Sequence, residues 1–138
     1  DAGDRPLKRL LLSLLLLFPL AACSKDLQQV KRVIDGDTIV MADDRRIRVV
    51  GIDTPEIRGA CNEERELAQT ARIRVMQLVA PGVHLKVMRQ NDRYGRVLAR
   101  VTLSDGRDLG DVLIGENLAN PYSGRGQRGG WCGNTSIR

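Results

Sequence analysis

Residues 30–53 read VKRVIDGDTIVMADDRRIRVVGID, and this stretch decides the fold. Three short runs rich in β-branched residues, VKRVI, TIVMA and RIRVVGI, are separated by the polar turns DGD and DDR. Val, Ile and Thr favour extended backbone, and Gly and Asp favour tight turns. The spacing therefore predicts a three-stranded antiparallel meander, with Asp35-Gly36 as a hairpin turn in which Gly takes positive φ and Asp43-Asp44 as a second turn. In the third strand, Ile47, Val49 and Gly51 alternate with Arg48, Val50 and Ile52, so a period of two puts the latter three on one side. An arginine on the more apolar face requires an anionic partner.

Downstream, the turn-prone TPEIRG leads into a helical pattern over 62–79. Leu67, Ala71, Val75 and Leu78, flanked by Ala68 and Val79, form an apolar stripe. Asn62 is the expected N-cap, Glu63, Glu64 and Glu66 suit the positive helix end, and Pro81-Gly82 stops the helix. Arg65, Arg72 and Arg74 read as a solvated face. A fourth strand from Val83 to Val87 carries His84 on its polar phase, as an exposed spectator. The loop RQNDRYG follows, then a fifth strand, RVLARVTL, and a short second helix over 109–115. Met41, Met76 and Met88 read as core or rim fillers. The pattern is mainly β with helices, an α+β chain. It suits a five-stranded Greek-key barrel of the oligonucleotide-binding kind, with one helix between strands 3 and 4 and a short C-terminal helix. The barrel domain is expected over 30–122, and the glycine-rich 123–138 as an irregular tail.

The whole chain of 138 residues holds one domain of this size, at 42% hydrophobic and 28% charged. Neither a disordered chain nor a disulfide-dense miniprotein has that composition. A net charge of +5 and a pI near 9.6 attract polyanions. Aromatics are only 3%, and beyond Phe18 the set is Tyr94, Tyr122 and Trp131, which excludes a multi-base stacking surface.

The amino end reads as a targeting segment. Arg5, Lys8 and Arg9 precede an apolar run from Leu10 to Ala22 that is too short to cross a bilayer, the layout of a secretory signal over 1–22. Leu20-Ala21-Ala22-Cys23 resembles the lipobox of bacterial lipoproteins, which implies lipidation of Cys23, a linker over 23–29, and an exported protein held at the membrane facing the periplasm or exterior, or secreted. Cys61 and Cys132 remain; in an oxidising compartment they can pair, and otherwise they stand as two independent thiols.

Asp35, Asp37, Asp53 and Glu56 are the residues with chemistry to offer. The meander brings them towards one another, and converging carboxylates repel unless a cation sits among them. With no His or Cys in these segments, a hard oxygen-seeking ion such as Ca²⁺ or Mg²⁺ is the natural guest. Arg48 and Arg96 add planar cations suited to phosphate oxygens. Acids, metal and arginines together describe phosphoryl transfer.

VIDGDTIV (33–40), RIRVVGIDTPE (46–56) and NDRYGRVLARV (91–101), in that order and with a helix between the last two, resemble the thermonuclease family of the staphylococcal nuclease type. The resemblance covers roughly Val30 to Asn120. It implies Ca²⁺ held by the carboxylates of Asp37 and Asp53 and the main-chain carbonyl of Thr54. It implies Glu56 as the base acting on the attacking water, and Arg48 and Arg96 as the clamp on the scissile phosphate. Tyr94 with Arg93 would bind a neighbouring phosphate, and Asp35 would be a hairpin acid behind the ligands. The family cuts DNA and RNA, single strands by preference, with little sequence selectivity and 3′-phosphate ends; a monomer is expected. Against the staphylococcal prototype the segment between Glu56 and the helix is shorter, and Cys132 is available to fasten the tail. Tyr122 suits a stacking or a packing role equally, and Trp131 reads as packing. The competing reading is a non-catalytic nucleic-acid-binding barrel anchored at the membrane. Such single-strand binders rely on aromatic platforms, which this chain lacks. A lipid-anchored structural or adhesion protein would leave the acids without a purpose.

Overall fold

A computed structural model describes residues 26–133. The expected signal segment, the expected lipidation point Cys23 and residues 134–138 lie outside the described residues. The elements in order are β1 (Val30–Asp35), β2 (Thr38–Met41), β3 (Arg46–Val49), β4 (Ile52–Asp53), α1 (Asn62–Val79), β5 (Val83–Arg89), β6 (Val97–Leu103), α2 (Leu109–Gly115) and β7 (Asn120–Pro121). No helix among the described residues is long and apolar enough to cross a membrane.

β1, β2 and β3 form the expected antiparallel meander, with Asp35 opposite Thr38 and Thr38 opposite Arg48. The main sheet then continues to β6 and β5 in the order β1-β2-β3-β6-β5. β3 and β6 run parallel, which the long excursion through α1 and β5 permits. Ahead of β1, the Gln28 N–H donates to Val83 O at 2.8 Å and the Val83 N–H donates back to Gln28 O at 2.9 Å. This bridge joins the first strand's lead-in to β5 and curls the sheet into a small barrel of the oligonucleotide-binding type.

The third strand is shorter than its alternation suggests. Gly51 takes φ +87°, a turn breaks the ladder after Val49, and Ile52 restarts as β4. Ile52 therefore does not share Arg48's side; it is buried with Ile47 and Val49. β4 pairs with β7 in a second two-stranded sheet that the sequence pattern does not reveal. The Asp35-Gly36 turn also has a different cause from the one expected. Gly36 is not at positive φ, and a Cβ there would lie 2.8 Å from the Thr54 side chain, so the glycine serves close approach rather than a left-handed turn.

α1 occupies the expected span, but its cap is Cys61, whose sulfur accepts from the Glu64 N–H at 3.4 Å, one residue before the expected Asn62. The buried stripe is Glu64, Ala68, Ala71, Val75 and Val79, with Leu67 and Leu78 at its margin. The small side chains of Ala68 and Ala71 let α1 lie close to β1, and Arg72 Nε donates to Val33 O across that seam at 3.1 Å. Arg74 meets Glu116, after α2, at 2.7 Å, so this face docks as well as being solvated. Leu109 and Leu113 of α2 complete the core beneath β6. Full burial of each such side chain stabilises by roughly 1.5–3 kcal/mol. Of the three methionines only Met41 is in the core; Met76 and Met88 are exposed. His84 is half-buried rather than exposed.

Candidate active site

The site grows from the β1–β2 hairpin. Asp37 ends the turn, and its main-chain carbonyl accepts from the Val49 N–H at 2.8 Å, tying the hairpin to the end of β3. One carboxylate oxygen of Asp37 accepts from Thr38 Oγ1 at 2.9 Å; the other lies 3.4 Å from the Thr54 N–H and 3.3 Å from Arg48 Nη2. Arg48 and Asp37 are 8% and 5% exposed, so the anionic partner that the arginine requires is at hand. The same guanidinium donates to the carbonyls of Val49 and Ile52, the latter at 2.9 Å, bracing the corner between β3 and β4.

Asp53, on β4, is buried, and its Oδ2 accepts from the Gly129 N–H at 3.1 Å. Thr54 follows at 1% exposure, and its Oγ1 has no hydrogen-bond partner among the described residues. Asp35 stands behind, its Oδ1 accepting from the Asp37 N–H at 3.2 Å. Burial, and then the charge of Asp37, push the Asp35 carboxyl up to about 7. Glu56 is raised as well, first by burial and then by Asp37, with Arg128 opposing. After burial, mutual repulsion among these acids is the next cause of both shifts, and a cation would relieve it. Carboxylates, a carbonyl and an orphaned hydroxyl are all oxygen donors, so the residues present fit a hard divalent ion.

β6 delivers the second arginine. In the parallel register Arg48 lies opposite Leu98, and Arg96, just ahead of β6, lines the same cavity as Arg48. Asp92 fixes it, its Oδ2 accepting from Arg96 Nε at 2.9 Å and ion-pairing with Nη2 at 2.8 Å. Burial would raise the Asp92 carboxyl, but the hydrogen bonds from Arg96 and Tyr94 outweigh it and hold it low. The Arg93 and Arg96 guanidinium carbons lie 4.7 and 5.1 Å from the Tyr94 ring centroid. Arg48, Arg93, Tyr94 and Arg96 thus line one cavity of about 580 Å³. Glu56 lines a second cavity of about 450 Å³ with Asp53, Thr54 and Glu64.

Of the expected site residues, Asp37 meets Arg48, Arg48 shares one cavity with Arg93, Tyr94 and Arg96, and Asp53, Thr54 and Glu56 share the other. Three others went unforeseen. Glu64 accepts from the Glu56 N–H at 3.1 Å and from the Ala60 N–H at 2.9 Å, so it shapes the loop carrying Glu56. Its place, three residues after the capping Cys61, is the capping-box spacing that could have revealed it. Asp92 is the second, four residues before Arg96. Arg128 is the third; it lines both cavities, and nothing local in SGRGQRGG announces it. The tail that carries it is fixed by a disulfide between Cys61 and Cys132, Cα–Cα 5.9 Å.

Fold and site together define a small barrel with buried acids and guanidinium groups gathered at one lip. The family model for the staphylococcal nuclease homologue matches residues 46–129, and the chain belongs to that family. It is 34% identical over 97 residues to a protein of Escherichia coli described as an uncharacterized endonuclease, covering 68% of this chain and 60% of that protein. Two thermonucleases are also similar. That of Staphylococcus intermedius is 40% identical over 81 residues, 55% of this chain and 48% of the relative. That of Staphylococcus hyicus is 32% identical over 105 residues, 72% of this chain and 59% of the relative. The chain thus spans between 48% and 60% of these relatives' own lengths.

Proposed function

We propose that the protein is a Ca²⁺-dependent nuclease that hydrolyses phosphodiesters of DNA and RNA with little sequence preference and leaves 3′-phosphate ends. The observation that carries this reading is the meeting of Arg48 with Asp37 at 3.3 Å while Arg48 shares a cavity with Arg96. Fixed cations beside acids that could hold a metal ion complement a phosphate in transfer. The relatives' printed activities, endonuclease and thermonuclease, agree.

The carboxylates of Asp37 and Asp53 and the carbonyl of Thr54 would hold the ion. When bound, it supplies charge neutralisation at the phosphate oxygens. Glu56 takes a proton from the attacking water, and its raised affinity for protons suits that task. Arg48 and Arg96 stabilise the extra negative charge of the five-coordinate phosphorus; their partners Asp37 and Asp92 hold them in place beforehand, so little reorganisation is needed. Arg93 and Tyr94 take the neighbouring phosphate. Arg48 is recessed, and a flexible single strand reaches it more easily than a duplex does, which is the basis for a single-strand preference. We further propose that the protein works as a monomer, exported and attached to a membrane through a lipid on Cys23. Radiolabelled palmitate incorporation that is abolished by Cys23→Ser, and a monomer mass by sedimentation, are the expected results.

The deciding experiment incubates the protein with single-stranded DNA in Ca²⁺ and then in chelator. Calcium-dependent cutting to 3′-phosphate ends is expected; tight binding without cutting would favour a non-catalytic barrel instead.

A further inference from the structure

The tail is neither helix nor strand over residues 122–133, yet it is fixed at several points. The Tyr122 N–H donates to Gly51 O at 2.9 Å, the Gly129 N–H donates to Asp53 Oδ2 at 3.1 Å, and Asn120 Nδ2 reaches Gly129 O at 3.4 Å. Cys132 is then bonded to Cys61 at the head of α1. Between these ties stands Arg128. Among the described residues it alone lines both the arginine cavity and the Glu56 cavity.

Its pairing differs from that of the two arginines inside the barrel. Arg48 is ion-paired with Asp37 and Arg96 with Asp92. Arg128 has no carboxylate at ion-pair distance among the described residues; its guanidinium carbon rests 5.9 Å from the Tyr122 ring centroid and is otherwise open to solvent. Glu56 feels its charge across their shared cavity but does not reach ion-pair distance, so the fork stays available to a phosphate. The tyrosine beneath restricts where that fork can go without neutralising it.

We propose that Arg128 is a substrate-binding residue, a guanidinium that grips the nucleic-acid backbone where it passes from the arginine cavity towards Glu56, and that the Cys61–Cys132 bond exists to hold it there. The catalytic consequence rests on the nuclease reading above, but the grip itself does not, because it is a contact between one side chain and one phosphate and can be read without turnover.

The test measures binding of a fluorescent single-stranded oligodeoxynucleotide to the full chain in chelator, across a salt series, by anisotropy. One phosphate contact removed from a single strand flattens the slope of log affinity against log salt by about 0.7. Arg128→Ala is expected to show that change with roughly tenfold weaker binding, about 1.4 kcal/mol by the standard conversion. Arg128→Lys keeps the charge and is expected to keep the slope while losing part of the affinity. Cys132→Ser, if it remains folded at the assay temperature by circular dichroism, is expected to behave like Arg128→Ala, and adding Arg128→Ala to it should then cost little more. An unchanged slope and affinity in Arg128→Ala overturns the proposal, whatever cleavage does. A wild-type chain that fails to cut with Ca²⁺, while Arg128→Ala still flattens the slope, overturns the nuclease reading and leaves this one standing.

Discussion

The hairpin end of the barrel and the glycine-rich tail supply the same site by opposite means. Asp37 and Arg48 are placed by strand ladders and burial, each below a tenth exposed, and their polar contacts run within the meander and to the adjoining Ile52 and Thr54. Arg128 and Gly129 lie on a segment without regular structure, and one covalent bond across 71 residues does much of the work that a ladder does elsewhere. Ladder-built parts of a site are stiff and local; the covalently fastened part is remote in sequence and can be released by a single reduction.

That contrast breaks most sharply at the disulfide. A bond closing a loop of this length stabilises by about 4 kcal/mol through the entropy it removes from the unfolded chain. Cys132→Ser, or a reducing agent, should therefore lower the thermal midpoint by the largest margin of any change described, as read by calorimetry; an unchanged midpoint would mean that the tail is held by its hydrogen bonds alone.

On the hairpin side the expected loss is in turnover. Arg48→Ala should lower kcat by about 3 kcal/mol of barrier, on the order of a hundredfold, in the range known for a removed preorganised charge. Near-normal kcat would transfer the clamp to Arg96 and Arg128.

Gly36→Ala comes next. Its Cβ would meet Thr54 at 2.8 Å, and overpacking of this kind costs about 1–3 kcal/mol, so the midpoint should fall even though the backbone there suits any residue.

The acid cluster gives a pH signature that the tail lacks. Asp35 holds its proton more tightly in the folded chain, from 3.8 up to about 7, so the stabilisation from protonation is complete below 3.8 and is lost as pH rises through about 7. Without metal the folded chain should lose stability across that window, and Ca²⁺ should restore more at pH 8 than at pH 5. Equal calcium effects at the two pH values would separate Asp35 from the ion site.

Much of the hairpin side is legible in the sequence, because its determinants are local. The period of two in RIRVV puts Arg48 where it needs an anion, and Asp37 directly precedes Thr38, Arg48's partner on the neighbouring strand. The stripe that ends at Pro81-Gly82 bounds α1. The break at Gly51 is not legible, since a glycine continuing an alternation reads the same whether or not its φ is positive. Nor is the β4–β7 pair, at two residues per strand too short to show a period. Glu64 is masked despite its capping-box spacing from Cys61, because a glutamate in a first helical turn already has a sufficient explanation in the helix dipole. Arg128 is illegible for a deeper reason: its position depends on which cysteines pair and on how a chain of glycines folds back, and neither is encoded in its own neighbourhood.

The central claim is that Glu56 and the arginines act on one phosphate. A double-mutant cycle of Glu56→Gln and Arg96→Ala, read as kcat in saturating Ca²⁺ on single-stranded DNA, tests it most directly. Groups serving one transition state fail together, so the double variant should lose far less than the product of the two single losses. Losses that simply multiply would show two groups working at separate points, and the account would be wrong.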